Sequence, residues 1–104
     1  MSVLLEFAMF PTDKGGTSAS KYVSKVIKMI KESGVSYKLT AMGTIIETET
    51  LPEALNIVND SYKILEKESD RVYSTITIDI KKEGENRMVQ KINSIESKIG
   101  SVSK

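Results

Sequence analysis

The sequence has no cysteine, histidine or tryptophan in 104 residues, and only two prolines, two phenylalanines and four tyrosines. Without thiolate or imidazole there can be no structural zinc site, iron–sulfur cluster, His- or Cys-ligated haem, Ser-His-Asp triad or Cys nucleophile. Carboxylates, hydroxyls, lysines and backbone groups are left for chemistry. The missing cysteines also remove any disulfide framework, which agrees with a cytoplasmic location. Long apolar runs are absent too. The stretch from Val3 to Phe10 is interrupted by Glu6, lacks a basic flank and is too short to cross a bilayer, so it reads as neither signal peptide nor membrane helix.

What remains is an ordinary globular composition, 39% hydrophobic and 28% charged, with 15 Lys+Arg against 14 Asp+Glu. It reads as one domain over residues 1–104. A chain of this size buries roughly 60% of its unfolded surface, enough for one core but not for a large internal cavity. A sizeable ligand is therefore expected on a sheet face, at an edge or between subunits. The lysines at 21, 25, 28 and 31 recur at helical spacing as one solvated face, not as the dense basic stripe of a nucleic-acid domain.

Hydrophobic periodicity orders the chain. Val3, Leu5, Phe7 and Met9 alternate as the apolar face of a strand that Pro11 is expected to end, since it cannot donate to a ladder. From Ser18 to Ser33, Tyr22, Val23, Val26, Ile27 and Ile30 recur at three-and-four spacing, and Gly34 supplies the stop. Thr17 or Ser18 would cap this helix. Residues 36–49 are β-rich and divided by Met42-Gly43, predicting a tight hairpin of Ser36 to Ala41 and Thr44 to Glu49. Thr50-Leu51-Pro52-Glu53 is a capping box that opens a second helix, with Leu55, Val58, Tyr62 and Leu65 as its stripe. Arg71 to Lys82 alternates again, with Val72, Ser74, Ile76, Ile78 and Ile80 on one face and Tyr73, Thr75, Thr77 and Asp79 on the other. A last helix, roughly Asn86 to Ile99, carries Met88, Ile92, Ile95 and Ile99 and stops at Gly100. The tail from Ser101 is expected to fray.

This order, βαββαβ plus a C-terminal helix, predicts an α+β ferredoxin-like sandwich. Helices are expected on one sheet face only. The other face would present Glu6, Ala8 and Phe10, then Ile45 and Glu47, then Tyr73, Thr75, Thr77 and Asp79. An exposed sheet face mixing aromatics, Ile and carboxylates suits self-association to a dimer or tetramer. Burying Glu6 and Glu47 there would require cations, donors or a positively charged ligand; otherwise both sit at a wet rim. The Gly15-Gly16 turn entering the first helix would present backbone N–H groups to an anion, but it lacks the glycine spacing of a P-loop and reads better as an ordinary loop. Glu47 and Glu49 share one side of a strand with no evident partner, and nothing drives their pKa values apart as acid–base catalysis requires. No enzyme motif, metal cluster or cofactor signature emerges.

Taken together, Glu6-Phe7, Pro11, Gly16-Thr17-Ser18 with Tyr22-Val23, Met42-Gly43-Thr44-Ile45-Ile46-Glu47, and Arg71-Val72 with Ile78-Asp79 resemble the small thiamine-binding proteins of the YkoF-like superfamily. The resemblance spans nearly the whole chain, and Met42 to Glu47 is its most specific segment. The chain departs from the family's usual pattern at Ala41, Thr48 and Lys81-Lys82, where Pro, Gly and an Arg-bearing segment are common. The resemblance implies a ferredoxin-like fold, sheet-mediated dimers and tetramers, and binding of thiamine or a related pyrimidine without catalysis. Thiamine is a permanent cation with a hydrogen-bonding aminopyrimidine, so an open face with carboxylates and aromatics fits it. The expected ligand residues are Glu47 and Glu6 as acceptors, Thr44 as a hydroxyl, Gly43 as a close backbone approach, Met42 as an apolar wall, and Thr17 and Ser18 for a ring nitrogen or phosphate ester. Phe10 or Tyr73 would stack on the cationic ring. The alternative is a homo-oligomeric regulatory or interaction module with no vitamin ligand.

Overall fold

The computed structural model describes residues 1–14 and 19–104. Its elements are β1 (Ser2–Pro11), α1 (Ala19–Ser33), β2 (Ser36–Leu39), β3 (Thr44–Thr48), α2 (Leu51–Glu66), β4 (Val72–Lys81) and α3 (Arg87–Ile99). The four strands form one antiparallel sheet in the order β2-β3-β1-β4. This is the ferredoxin-like arrangement with an added C-terminal helix.

The alternation on β1 decides which side becomes core. Val3, Leu5 and Phe7 are buried and meet Ile46 of β3, Val26 and Ile30 of α1, and Ala54 and Leu65 of α2. Each such side chain contributes about 1.5–3 kcal/mol by leaving water. Half of the expected stripe of α2 faces inward, Leu65 in the core and Val58 packed against it, while Leu55 and Tyr62 are exposed and Ala54 and Ser61 are buried in their place. Small residues let α2 lie close to the sheet, and Ser61 satisfies its hydroxyl on the Ile57 carbonyl at 2.7 Å.

Local chemistry explains most of the boundaries. Thr50 caps α2, its hydroxyl accepting from the Glu53 amide and donating to the Glu53 carboxylate at 2.7 Å. Gly34 follows α1 at φ +81°, the left-handed turn that glycine adopts without penalty. The hairpin turn is tied by Thr40, whose hydroxyl donates to the Gly43 carbonyl and accepts from the Met42 and Gly43 amides. That competition ends β2 at Leu39, short of Ala41. Gly43 is there because of crowding: a Cβ at this position would lie 2.9 Å from the Phe7 carbonyl oxygen.

Pro11, expected to lie beyond the strand, is its last residue and pairs with Val72. The Thr12 amide donates to the Arg71 carbonyl, so the preceding nitrogen points the other way. There the pairing of β1 with β3 has already ended at Phe7, and the missing N–H costs nothing. The tail is also ordered: the Val102 amide and Lys104 ammonium both reach Glu96. The capping roles expected of Thr17 and Ser18 lie outside the described residues.

The largest departure concerns α3. It lies on the sheet face opposite α1 and α2, so helices cover both faces. Hydrogen bonds from its first turn to Glu47 and Asp79, two residues of that far face, fix it there.

Candidate functional site

The far face is organised around the start of α3. An α-helix begins with amide N–H groups that have no partner within it. Asn86 precedes α3 in a left-handed conformation (φ 53°) and offers no side-chain cap. The cap comes instead from β3, some forty residues upstream. The Glu47 carboxylate accepts from the Arg87 amide at 2.9 Å, the Met88 amide at 3.2 Å and the Ser2 hydroxyl at 2.6 Å. Burial by itself pushes the Glu47 carboxyl up, but these three donors and the nearby Arg87 charge together hold it below its ordinary value.

Arg87 completes the joint. The residue is 5% exposed, and its guanidinium donates to the Ser2 hydroxyl and carbonyl and to the Asp79 carboxylate and carbonyl. Asp79 also receives Lys91 at 2.9 Å. The Lys91 hydrogen bond, aided by the Arg87 charge, holds the Asp79 carboxyl below its ordinary value against the opposing desolvation. Glu47 therefore has partners that the sequence did not reveal, and they are structural.

Beyond this joint, α3 roofs a cavity of about 400 Å³ on the far face, within the range of small-molecule sites. Leu4 and Ile45 form its floor, Met88 and Ile92 its roof, and Glu6, Lys38, Thr40, Thr77, Asp79 and Lys91 its polar margin. Asp79 and Lys91 satisfy one another. Among the described residues, neither Glu6 nor Lys38 takes part in an ion pair.

The candidate residues do not converge on one spot. Glu6 borders the roofed cavity. Glu47 sits at the α3 joint. Met42, Gly43 and Thr44 line a different cavity of about 260 Å³, with Phe7, Phe10, Val23 and Ile27 among its walls. Thr44 is buried on the helix side, opposite Phe7, and Met42 is 83% exposed at the hairpin tip. Thr17 and Ser18 lie outside the described residues. Phe10 and Tyr73, the proposed stacking residues, lie against each other with centroids 5.7 Å apart on the uncovered end of the far face.

Sequence reasoning missed Leu4, Lys38, Met88 and Ile92. The signal for the last two was present in the α3 stripe, but the side of the sheet that receives α3 is not written in that stripe. Among the described residues no group of three or more acidic side chains could hold a metal ion, and no helix is long and apolar enough to cross a membrane.

The chain is a ferredoxin-like sheet domain with a helix-roofed cavity on its far face. The model of the thiamine-binding protein family matches residues 5–96, and the chain belongs to that family. It is similar to a UPF0045 protein of Methanothermobacter thermautotrophicus, 32% identical over 98 residues, covering 93% of this chain and 99% of the relative. The crystal structure of protein MJ1052 from Methanocaldococcus jannaschii superposes with a TM-score of 0.77 at 34% identity, over 90% of this chain and 95% of that one. A Thermotoga maritima protein, TM0486, solved as a candidate thiamine biosynthesis or salvage protein, shares the fold with a TM-score of 0.77 at 20% identity, over 91% and 99% of the two chains.

Proposed function

We propose that this protein is a non-enzymatic, cytoplasmic binder of thiamine or a related pyrimidine compound, carrying or sensing the vitamin without converting it, and that the ligand occupies the cavity beneath α3. The observation that carries this reading is Glu6, a carboxylate without an ion-pair partner among the described residues, at the polar margin of a cavity whose apolar walls are Leu4, Ile45, Met88 and Ile92. The thiazolium is a permanent cation and the aminopyrimidine a donor, so Glu6 suits either ring, while the apolar walls take their faces. Glu47 acts at one remove, by fixing the roof. The membership of the thiamine-binding family supports the choice of ligand.

The test is titration calorimetry with thiamine, using choline and a pyrimidine-free thiazolium as controls. Saturable binding of thiamine alone is expected. In Glu6→Gln it should weaken about 10- to 100-fold, the loss of a charged hydrogen bond of ~1.5–3 kcal/mol. Equal binding of choline, or no heat at millimolar thiamine, would overturn the reading.

Self-association belongs to the same proposal, but α3 occupies part of the far face expected to mediate it, which leaves the β4 edge. Ile76, Ile78 and Ile80 of β4 are 45%, 39% and 47% exposed along the outer edge of the sheet, an edge that invites pairing. Ile95 and Ile99 of α3 are exposed as well. The same isoleucines favour the second reading, an interaction module without a vitamin ligand, which predicts a stable oligomer and no thiamine heat.

A further inference from the structure

Two kinds of charged side chain border the far-face cavity. Asp79 and Lys91 lie 2.9 Å apart, and Arg87 adds a second cation on Asp79 at 3.0 Å, so those groups are engaged with one another. Glu6 and Lys38 remain. They stand in one row across the sheet: Glu6 pairs with Ile45, and Ile45 pairs with Lys38. All three belong to the far face, so a negative and a positive side chain flank the apolar Ile45, with Cα atoms about 10 Å apart. Neither is in an ion pair among the described residues, and Lys38 is half-buried, with no buried polar atom left unpartnered, so its stem packs while its ammonium reaches water.

Two unpaired charges on either side of Ile45 offer a ligand one contact at each end. We propose that the ligand is dipolar: its cationic or amino-bearing ring meets Glu6, its ring face covers Ile45, and an oxyanion at its other end meets Lys38. The inference rests on the cavity being the thiamine site, and there the oxyanion is a phosphate monoester on the hydroxyethyl arm. Lysine is a point charge with three donors and suits a phosphate without demanding one orientation.

The experiment is calorimetry of thiamine, thiamine monophosphate and inorganic phosphate on the full chain and on Lys38→Gln, with a thermal melt to show that the variant is folded. The monophosphate is expected to bind about tenfold more tightly than thiamine to the natural chain. Lys38→Gln should weaken the monophosphate about tenfold more than it weakens thiamine, erasing that advantage, and inorganic phosphate alone should bind at least a hundredfold more weakly than the ester. Equal affinities of thiamine and its ester, or an equal loss of both in Lys38→Gln, would overturn the inference and leave thiamine binding standing. Absence of binding by both thiamine and its ester would overturn the two together.

Discussion

Replacing Glu47 with Gln should loosen α3 from the sheet more than it harms the core. In the natural chain one carboxylate accepts from three donors, the Ser2 hydroxyl and the Arg87 and Met88 amides. An amide oxygen at the position of Oε2 retains Ser2 and Arg87, but the amide nitrogen then faces the Met88 N–H, donor against donor. One charge-assisted hydrogen bond is lost, worth ~1.5–3 kcal/mol. A negative charge at the helix N-terminus, worth a further ~0.3–1 kcal/mol, goes with it. Glu47 is half-buried, so the lower part of the combined range applies, about 2 kcal/mol. That is roughly a 30-fold increase in the opening of α3. Native-state hydrogen exchange reads it directly: amides in the first two turns of α3 should exchange about 30-fold faster, while those of β1 at Leu5 and Phe7 keep their protection. Unchanged protection of α3 would show that the helix is held by its apolar contacts and that Glu47 is not its cap. Uniform acceleration throughout the chain would show that α3 is not a separable unit.

Acid should release the same helix. Glu47 and Asp79 both have carboxyl groups held below their ordinary values in the folded chain, so their stabilisation is complete above about pH 5. It is lost as pH falls past 4.5 for Glu47 and 3.8 for Asp79, toward the lower folded values. Exchange of α3 amides, corrected for intrinsic rates, should therefore rise between about pH 5 and pH 3 before the sheet melts; protection flat across that range would contradict the assignment. Gly43→Ala places a methyl group 2.9 Å from the Phe7 carbonyl, and should cost about 1–3 kcal/mol, lowering Tm by roughly 5–20 °C. Thr50→Ala removes the α2 cap and should cost ~1 kcal/mol in denaturant unfolding, with no change in thiamine affinity. Ile78→Lys on the β4 edge should shift the chain to monomer in gel filtration with light scattering, with little change in Tm if the edge serves assembly alone.

Most of the elements were legible because their signals are local. The period of α1, the capping box of α2 and the alternation of β1 and β4 each depend on residues a few positions apart, and the observed boundaries fall within a few residues of those patterns. Errors arose where two signals competed at one position. Thr40 has a strand-compatible side chain, yet its hydroxyl ties the turn and shortens β2. Leu55 and Tyr62 are large and apolar, but the sheet accepts the smaller Ala54 and Ser61 instead, because close approach of the helix outweighs the area of any one side chain.

The sequence by itself determined the element order, the inward faces of the strands and the residue types left for chemistry, since periodicity and composition are properties of the chain alone. It also marked Glu6 and Glu47 as far-face carboxylates. Only the tertiary structure decided that the two have different fates. Glu47 is spent on the amides of a helix forty residues later, and Glu6 is left facing a roofed cavity with Lys38 across Ile45. An amphipathic stripe states that α3 must cover something apolar. Which sheet face it covers depends on partners distant in sequence, the Ser2, Glu47 and Asp79 groups that receive Arg87 and the first turn, and no local pattern encodes that meeting.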